Sequence, residues 1–231
     1  TMEYLESLGV RENVVRCADP AFAVAPEIQK GPGTSDRRRR IAVNLSPLSF
    51  WGRDEEREPI LTRQARMCER IAARFDADLL LVPHVVCDTV GDDDRGHLAA
   101  IADRIQPSLR EQIKLVADDL GFVGTKRLLT TCDVTIAARM HCAINAMASA
   151  VPTLLLAYSQ KALGMGEYVY GNREWVVPLD EFDSEKCLAA LERILAANEV
   201  VRDHLVTRGE SIRSDAYRSA FALERLLGPQ G

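Results

Sequence analysis

Short apolar runs alternate with longer segments of helical periodicity between residues 41 and 182. The segment 59–76 is the clearest of the helical ones, with Pro59 near its start and apolar residues three or four positions apart. Strands that alternate with helices form a parallel sheet with right-handed crossovers. The pattern therefore predicts an α/β fold, a Rossmann-like doubly wound parallel sheet of about six strands. The predicted strands are 41–46, 77–86, 111–118, 134–138, 153–158 and 174–179.

The two ends of the chain follow a different pattern from the central region. Residues 1–30 open with "TMEYLESLGV", a helix closed by Gly9, and are interpreted as the trailing segment of a preceding, missing N-terminal half. Residues 31–40 are rich in Gly, Pro, Ser and charge and predict a linker. Residues 183–231 predict a helical region that packs on the sheet, with a break near Gly209.

Composition narrows the function classes. The net charge of −5 has acidic and basic residues interspersed, so no nucleic-acid partner is predicted. Arg37–Arg40 is a run of four arginines, interpreted as a solvated face or as a peripheral contact with an anionic membrane surface. No apolar run reaches transmembrane length. The six cysteines form no CxxC pair or other metal-ligand spacing, which favours core packing, a reducing cytoplasmic setting and no metal site.

The predicted topology locates a site before any chemistry is considered. Ligands of open parallel sheets bind at the carboxyl ends of the strands, near the switch in strand order. Cationic, hydroxyl and amide side chains follow the predicted strands there, and helix N-termini add partial positive charge. We therefore expect an anion site for a phosphate or a compact phospho-carboxylate. Its candidate residues are Asn44, Ser46, His84, Arg139, His141, Tyr158, Ser159 and Lys161.

Each candidate also has a purely structural interpretation. Arg139 could pair with a carboxylate, His141 could cap its helix, and Lys161 could be a solvated loop residue. For His84, a structural role and a contact with the substrate are both open. The triple aspartate Asp92–Asp94 fits a helix start better than a metal site. Two further histidines, His97 and His204, lie on predicted helices and are expected at the surface.

Four motifs occur in order along the chain: "CADPAF" at 17–22, "VNLSPL" at 43–48, "VPHV" at 82–85 and "ARMHCAINAMASAVPTLLLAYSQKALGMGEYVYG" at 138–171. Together they resemble the polysaccharide pyruvyl transferase family. Its members carry Arg-x-His after a strand, an Ala-rich helix, a Val-Pro turn, and a strand ending in Tyr-Ser-x-Lys. The resemblance implies a GT-B-like architecture of two Rossmann-like halves, with this chain as the C-terminal half.

The resemblance implies transfer of a pyruvyl group from phosphoenolpyruvate to sugar hydroxyls as a ketal. Arg139 would then grip one anionic group of the donor, and Lys161 the other. His141 would act as the general acid, or would only bind phosphate. The acceptor would be a sugar or a lipid-linked glycan, expected partly on the missing half, and no cofactor is implied.

Two other function classes remain open at this point. A GT-B-type glycosyltransferase or epimerase would use a nucleotide-sugar and would want an acidic residue for the ribose, for which Glu167 and Glu174 are the candidates. A non-catalytic anion-binding module would need neither a nucleotide-sugar nor an acidic residue for the ribose. The apolar positions of the C-terminal helical region suit packing on the sheet, bracing of another half, or a homo-oligomer.

Overall fold

The computed structural model describes residues 2–12, 14–24, 37–50, 52–89 and 92–228. Its centre is one six-stranded sheet in which every pairing is parallel, as the alternating pattern predicts. The strands are β1 (Arg39–Asn44), β2 (Ala77–Leu81), β3 (Ile113–Leu115), β4 (Val134–Ala137), β5 (Thr153–Ala157) and β6 (Val176–Pro178).

Helices connect the strands and cover the sheet, because its inner strands are apolar on both faces. All four residues of β4 are buried, as are the first four of β5. The helices are α1 (Met2–Ser7), α2 (Arg57–Phe75), α3 (Asp94–Ala102), α4 (Gly121–Leu129), α5 (Met140–Met147), α6 (Gln160–Tyr170), α7 (Glu185–Ala196) and α8 (Asn198–Leu227).

The strand order is β3-β2-β1-β4-β5-β6. The chain therefore works outwards from β1 to one edge of the sheet, then returns to place β4 on the other side of β1. The switch in order lies between β1 and β4, where Asn44 stands in register with Ala137. In such a doubly wound sheet the crevice at the carboxyl ends of these two strands is the expected ligand site.

A segment before the first strand packs on this same domain. A 3₁₀ turn at Pro20–Phe22 contacts α5 and α8, with Ala18 and Phe22 buried in the common core. The Ala18 N–H donates to the Asp215 carbonyl of α8 at 3.3 Å. Part of the sequence interpreted as a trailing segment thus contributes to the core; the rest of it from residue 25, and the linker as far as residue 36, lie outside the described residues.

The arginine run is largely bonded to the domain itself. Arg37 pairs with Asp133 at 2.8 Å, and Arg38 contacts Asp76 at 3.0 Å. Arg40, within β1, donates to the Thr131 hydroxyl at 3.1 Å. These bonds hold the start of the first strand against its neighbours, and the predicted membrane contact of the run stays a prediction.

The C-terminal region differs from the prediction in where its helices part. Gly209 lies inside α8, which runs unbroken from Asn198 to Leu227, so the predicted break at Gly209 is wrong. The break lies instead at Ala197, between α7 and α8. A single glycine costs a helix interior only about 1 kcal/mol relative to alanine. The burial of Leu205 and Ile212 on either side of Gly209 offsets that cost.

Two features bear on the setting of the protein. Among the helices that the structure describes, none combines the length and the apolarity that crossing a membrane requires. All six cysteines are free thiols, and four of them are buried, as their apolar surroundings predict: Cys68, Cys132, Cys142 and Cys187.

Candidate functional site

Asn44 joins three strand ends at the switch point. It is the last residue of β1 and is fully buried. Its amide nitrogen donates to the Val82 carbonyl at 2.9 Å and to Asp94 at 3.2 Å. Its amide oxygen accepts from the Arg139 N–H at 2.8 Å. These bonds make Asn44 the support that fixes the backbone of Arg139.

Asp94 is a carboxylate enclosed by donors. It begins α3, and its side chain has no exposed surface. Besides Asn44, the N–H groups of His84 and Val85 donate to it at 3.1 and 3.0 Å. Burial raises the pKa of this carboxyl, while the charge of Arg139 and the backbone N–H groups act in the opposite direction. These donors satisfy the hydrogen-bonding capacity of the Asp94 carboxylate, as a buried ion pair requires.

Asp93, next to it, caps α3. Its side chain accepts from the backbone N–H groups of Arg95 and Gly96. The interpretation of the triple aspartate as a helix start is therefore confirmed for Asp93. Within the described ranges no three His, Cys, Asp or Glu side chains group so as to hold a metal ion.

Arg139 lies between the end of β4 and the start of α5. Its Nε donates to Asp94 at 2.9 Å, and one Nη donates to the Asp92 carboxylate at 2.6 Å and to the Asp92 carbonyl at 2.7 Å. Burial acts to lower its pKa, but the charge of Asp94 and the bonds to Asp92 outweigh it, so the pKa is raised and the group stays a cation. The other Nη donates to none of the described residues. The Nε and one Nη of the guanidinium are thus bound to Asp94 and Asp92.

His141 follows two residues later, in the first turn of α5. Its side chain is 57% exposed, so a ligand can reach it. Its Nε2 lies 3.4 Å from a carboxylate oxygen of Asp19. Asp19 belongs to the "CADPAF" motif, but the sequence did not assign it to the site. The aspartate that precedes Pro20 was the available signal, since it marks a capped turn.

His84 lies on the other side of Arg139, after β2. Burial, and then the nearby His141 and Arg139, lower its pKa to about 4, so the imidazole is neutral at neutral pH. Its buried Nδ1 has no hydrogen-bond partner among the described residues. His84 also lines a cavity of about 200 Å³ together with Asp118, Asp119 and other residues at the start of α4. The carboxylates of this cavity disfavour an anion, whereas Arg139 and His141 form a rim beside it that carries a cation.

A buried polar chain runs behind the site. The Ser49 hydroxyl donates to the Ser46 carbonyl at 2.8 Å, and Gln64 donates to Ser49 at 2.9 Å. The Gln64 amide oxygen lies 2.9 Å from the His97 Nε2. His97 is therefore a core residue, only 3% exposed, and its expected surface position is wrong. Burial lowers the pKa of His97 to about 3, which keeps it neutral as a donor to Gln64.

Ser46 itself is fully buried, and its hydroxyl has no described partner. His204, the other helical histidine, is exposed as expected, with its Nε2 2.9 Å from the Val169 carbonyl.

The residues after β5 occupy the same edge of the sheet, without a hydrogen bond or ion pair to Arg139 or His141 among the described residues. Tyr158, Ser159 and Lys161 are all exposed. Ser159 holds the N-cap position of α6, although its hydroxyl makes no capping bond. Lys161 forms no ion pair with a described residue. The structure therefore brings Arg139, His141 and His84 together around Asn44 and leaves Lys161 as a solvated cation near the start of α6.

Fold and site together define a class of protein. A doubly wound parallel sheet places two basic residues at its switch point, beside two helix N-termini. One is an arginine whose guanidinium is partly bonded to carboxylates, and the other is an exposed histidine. That arrangement is typical of Rossmann-like domains that bind an anionic substrate at the carboxyl edge of the sheet.

Comparison with known proteins gives the family. The sequence profile described as "Polysaccharide pyruvyl transferase" matches residues 1–160, more than half of the chain. The chain therefore belongs to the polysaccharide pyruvyl transferase family. It is also 24% identical over 179 residues to the amylovoran biosynthesis protein AmsJ of Erwinia amylovora. That match covers 71% of this chain and 42% of AmsJ, so the chain spans less than half of this curated relative.

Among solved structures, the glycosyltransferase SnogD from Streptomyces nogalater is similar with a TM-score of 0.46 and 18% sequence identity. The match covers 96% of this chain and 60% of SnogD.

Proposed function

We propose that the protein carrying this chain transfers a pyruvyl group from phosphoenolpyruvate to two hydroxyls of a sugar, forming a ketal. The observation that carries the proposal is the rim formed by Arg139 and His141 at the switch point of a chain in this family. The chain supplies the donor-binding domain, as the C-terminal half of a GT-B-like protein. We place the reaction in the cytoplasm, with a glycan precursor as acceptor.

The donor carries a phosphate and a carboxylate, which need at least two cationic contacts. Arg139 has one nitrogen group free of described partners, and its other bonds fix that group in place. Lys161 is exposed on the neighbouring strand exit and supplies a mobile point charge. The N-termini of α5 and α6 direct their backbone N–H groups towards the same edge. We assign the phosphate and carboxylate to these two cations.

The reaction requires an acidic group that can give a proton to the C2–C3 double bond of phosphoenolpyruvate. His141 protonates C3, which leaves a cation-like centre at C2. The first sugar hydroxyl attacks C2 and gives its proton back to the neutral His141. The second hydroxyl then forms a second C–O bond at C2, the C2–O bond to the phosphate breaks, and the phosphate leaves with the proton of the second hydroxyl. His84, neutral at neutral pH, adds no repulsion to the developing positive charge.

The alternative with a nucleotide-sugar donor has weaker support. Glu167 pairs with Arg173 at 2.8 Å, in the second half of α6. Glu174 pairs with Arg193 at 3.5 Å and precedes β6, so it lies at the opposite edge of the sheet from the strand exits. Neither carboxylate is placed where a nucleotide ribose would bind in this fold.

The test is the transfer reaction of the full-length protein, followed by phosphate release and by the mass of the ketal. If His141 is the general acid, His141→Gln lowers kcat by about 100-fold or more with little change in the KM for phosphoenolpyruvate. His204→Gln, which changes an exposed helical histidine outside the site, should leave kcat unchanged. A wild-type protein that releases no phosphate from phosphoenolpyruvate with any sugar acceptor would contradict the proposal.

A further inference from the structure

Asp19 is held rigidly beside the site by a turn that precedes the sheet. One of its carboxylate oxygens accepts from the Ala21 N–H at 3.0 Å, which caps the short 3₁₀ turn. Its neighbours Ala18 and Phe22 are each only 4% exposed and anchor the turn in the core. The carboxylate therefore has little freedom to move away from its position.

The second carboxylate oxygen of Asp19 faces His141. The distance of 3.4 Å to Nε2 suits a pair that tightens when a substrate binds. A carboxylate on one imidazole nitrogen keeps the proton there and orients the ring, and the other nitrogen, Nδ1, is left to exchange a proton with a substrate.

We propose that Asp19 is a positioning residue for His141: it holds the Nε2 proton and the orientation of the ring, so that the imidazolium gives its Nδ1 proton to C3 of the donor and is left as the neutral Nε2–H tautomer. This inference rests on the proposed function, in which His141 protonates phosphoenolpyruvate. Asp19 acts through His141 and does not bind the donor, because its negative charge would repel both anionic groups.

The surrounding charges favour this arrangement. Burial, and then the nearby His141 and Arg139, lower the pKa of His84, so neither His84 nor Arg139 offers His141 a negative charge. Asp19 is the acidic group paired with His141 in the described part of the chain. Without it, His141 would face cationic or neutral neighbours and would have no fixed acceptor for Nε2–H.

The test compares Asp19→Asn with wild type in the full-length protein. Asparagine still accepts the Ala21 N–H, so the cap and the thermal stability should be retained, while the negative charge beside His141 is removed. We expect kcat to fall about 10- to 100-fold, with the KM for phosphoenolpyruvate within about twofold. Asp19→Glu should recover part of the loss. Glu12→Gln, an exposed carboxylate earlier in the chain, is the matched control and should behave as wild type.

A second readout does not depend on activity. In protein labelled with ¹⁵N-histidine, His141 should be mainly the Nε2–H tautomer in wild type and lose that preference in Asp19→Asn. Unchanged kcat, or an unchanged tautomer, would overturn the inference. If the wild type shows no reaction with phosphoenolpyruvate, the proposed function fails, and the tautomer measurement alone then decides the role of Asp19.

Discussion

At the residue scale, Arg139 serves the fold and the site at once. Its Nε and one Nη satisfy Asp94 and Asp92, and its backbone N–H is held by Asn44. Loss of one partner of a buried ion pair leaves the other charge uncompensated, which costs more than the pair itself contributes. Variants of Arg139 therefore need a stability measurement before their activity can be interpreted.

We predict that Arg139→Met destabilises the protein by about 3 kcal/mol, because it leaves the Asp94 carboxylate buried and unpaired. The double variant Arg139→Met with Asp94→Asn should recover part of that loss, since the uncompensated charge is removed. Urea denaturation of the full-length protein measures both.

The matched control is Arg193→Met, whose ion pair with Glu174 is half-exposed and worth at most about 1 kcal/mol. Equal stability of the Arg139 and Arg193 variants would contradict the structural role assigned to Arg139.

The sequence predicts where the rim residues lie, but not which side chains of the protein they pair with. Strand exits can be read from apolar runs, and this placed Arg139 and His141 at one edge of the sheet. The partners Asp94 and Asp19 are distant in sequence, and their pairings depend on tertiary packing. His97 shows the same limit, because an isolated histidine on a short amphipathic helix carries no signal of which face it takes.

At the element scale, apolar runs predict all six strands, and helical spacing predicts the helix at 59–76 within two residues of α2. The ends are less certain because caps and tertiary contacts decide them: β2 stops at Leu81, although the apolar run continues to residue 86. There the chain leaves the sheet at Pro83, and the following N–H groups of His84 and Val85 bond to Asp94 instead.

Close packing of α6 against β6 requires a glycine at position 166. A Cβ built there would lie 2.6 Å from a methyl carbon of Val176 and 3.3 Å from the Asn172 carbonyl oxygen. We predict that Gly166→Ala destabilises the protein by about 1–3 kcal/mol through overpacking, measured as the free energy of unfolding in urea.

Gly164, in the same helix, is the matched control. A Cβ at this position meets no atom within 4 Å, so Gly164→Ala should stabilise the helix by about 0.5–1 kcal/mol. If Gly166→Ala stabilises the protein as much as Gly164→Ala, helix propensity alone sets the effect and the contact with Val176 does not matter.

At the scale of the whole molecule, the described residues form one sheet-centred domain with an open site. The proposed donor site uses cationic groups of this chain, and the proposal assigns no residue of the chain to the acceptor. The far end of α8 carries exposed Leu223, Leu226 and Leu227, beyond the part whose Leu205 and Ile212 are buried in the core. The proposals that these helices brace another half or form a homo-oligomer stay predictions.

The central claim is that the rim binds phosphoenolpyruvate and not a nucleotide-sugar. The most direct measurement is the thermal stability of the full-length protein with each ligand, because a ligand that binds only the native state raises it by mass action. At about 100 times its Kd, phosphoenolpyruvate should add about 2.7 kcal/mol and raise Tm by several degrees.

The shift should shrink in Lys161→Ala, which removes the second cation that the proposal assigns to the donor, and persist in Lys114→Ala, an exposed lysine on β3. UDP-sugars should give no shift. A shift with UDP-sugars and none with phosphoenolpyruvate would contradict the account.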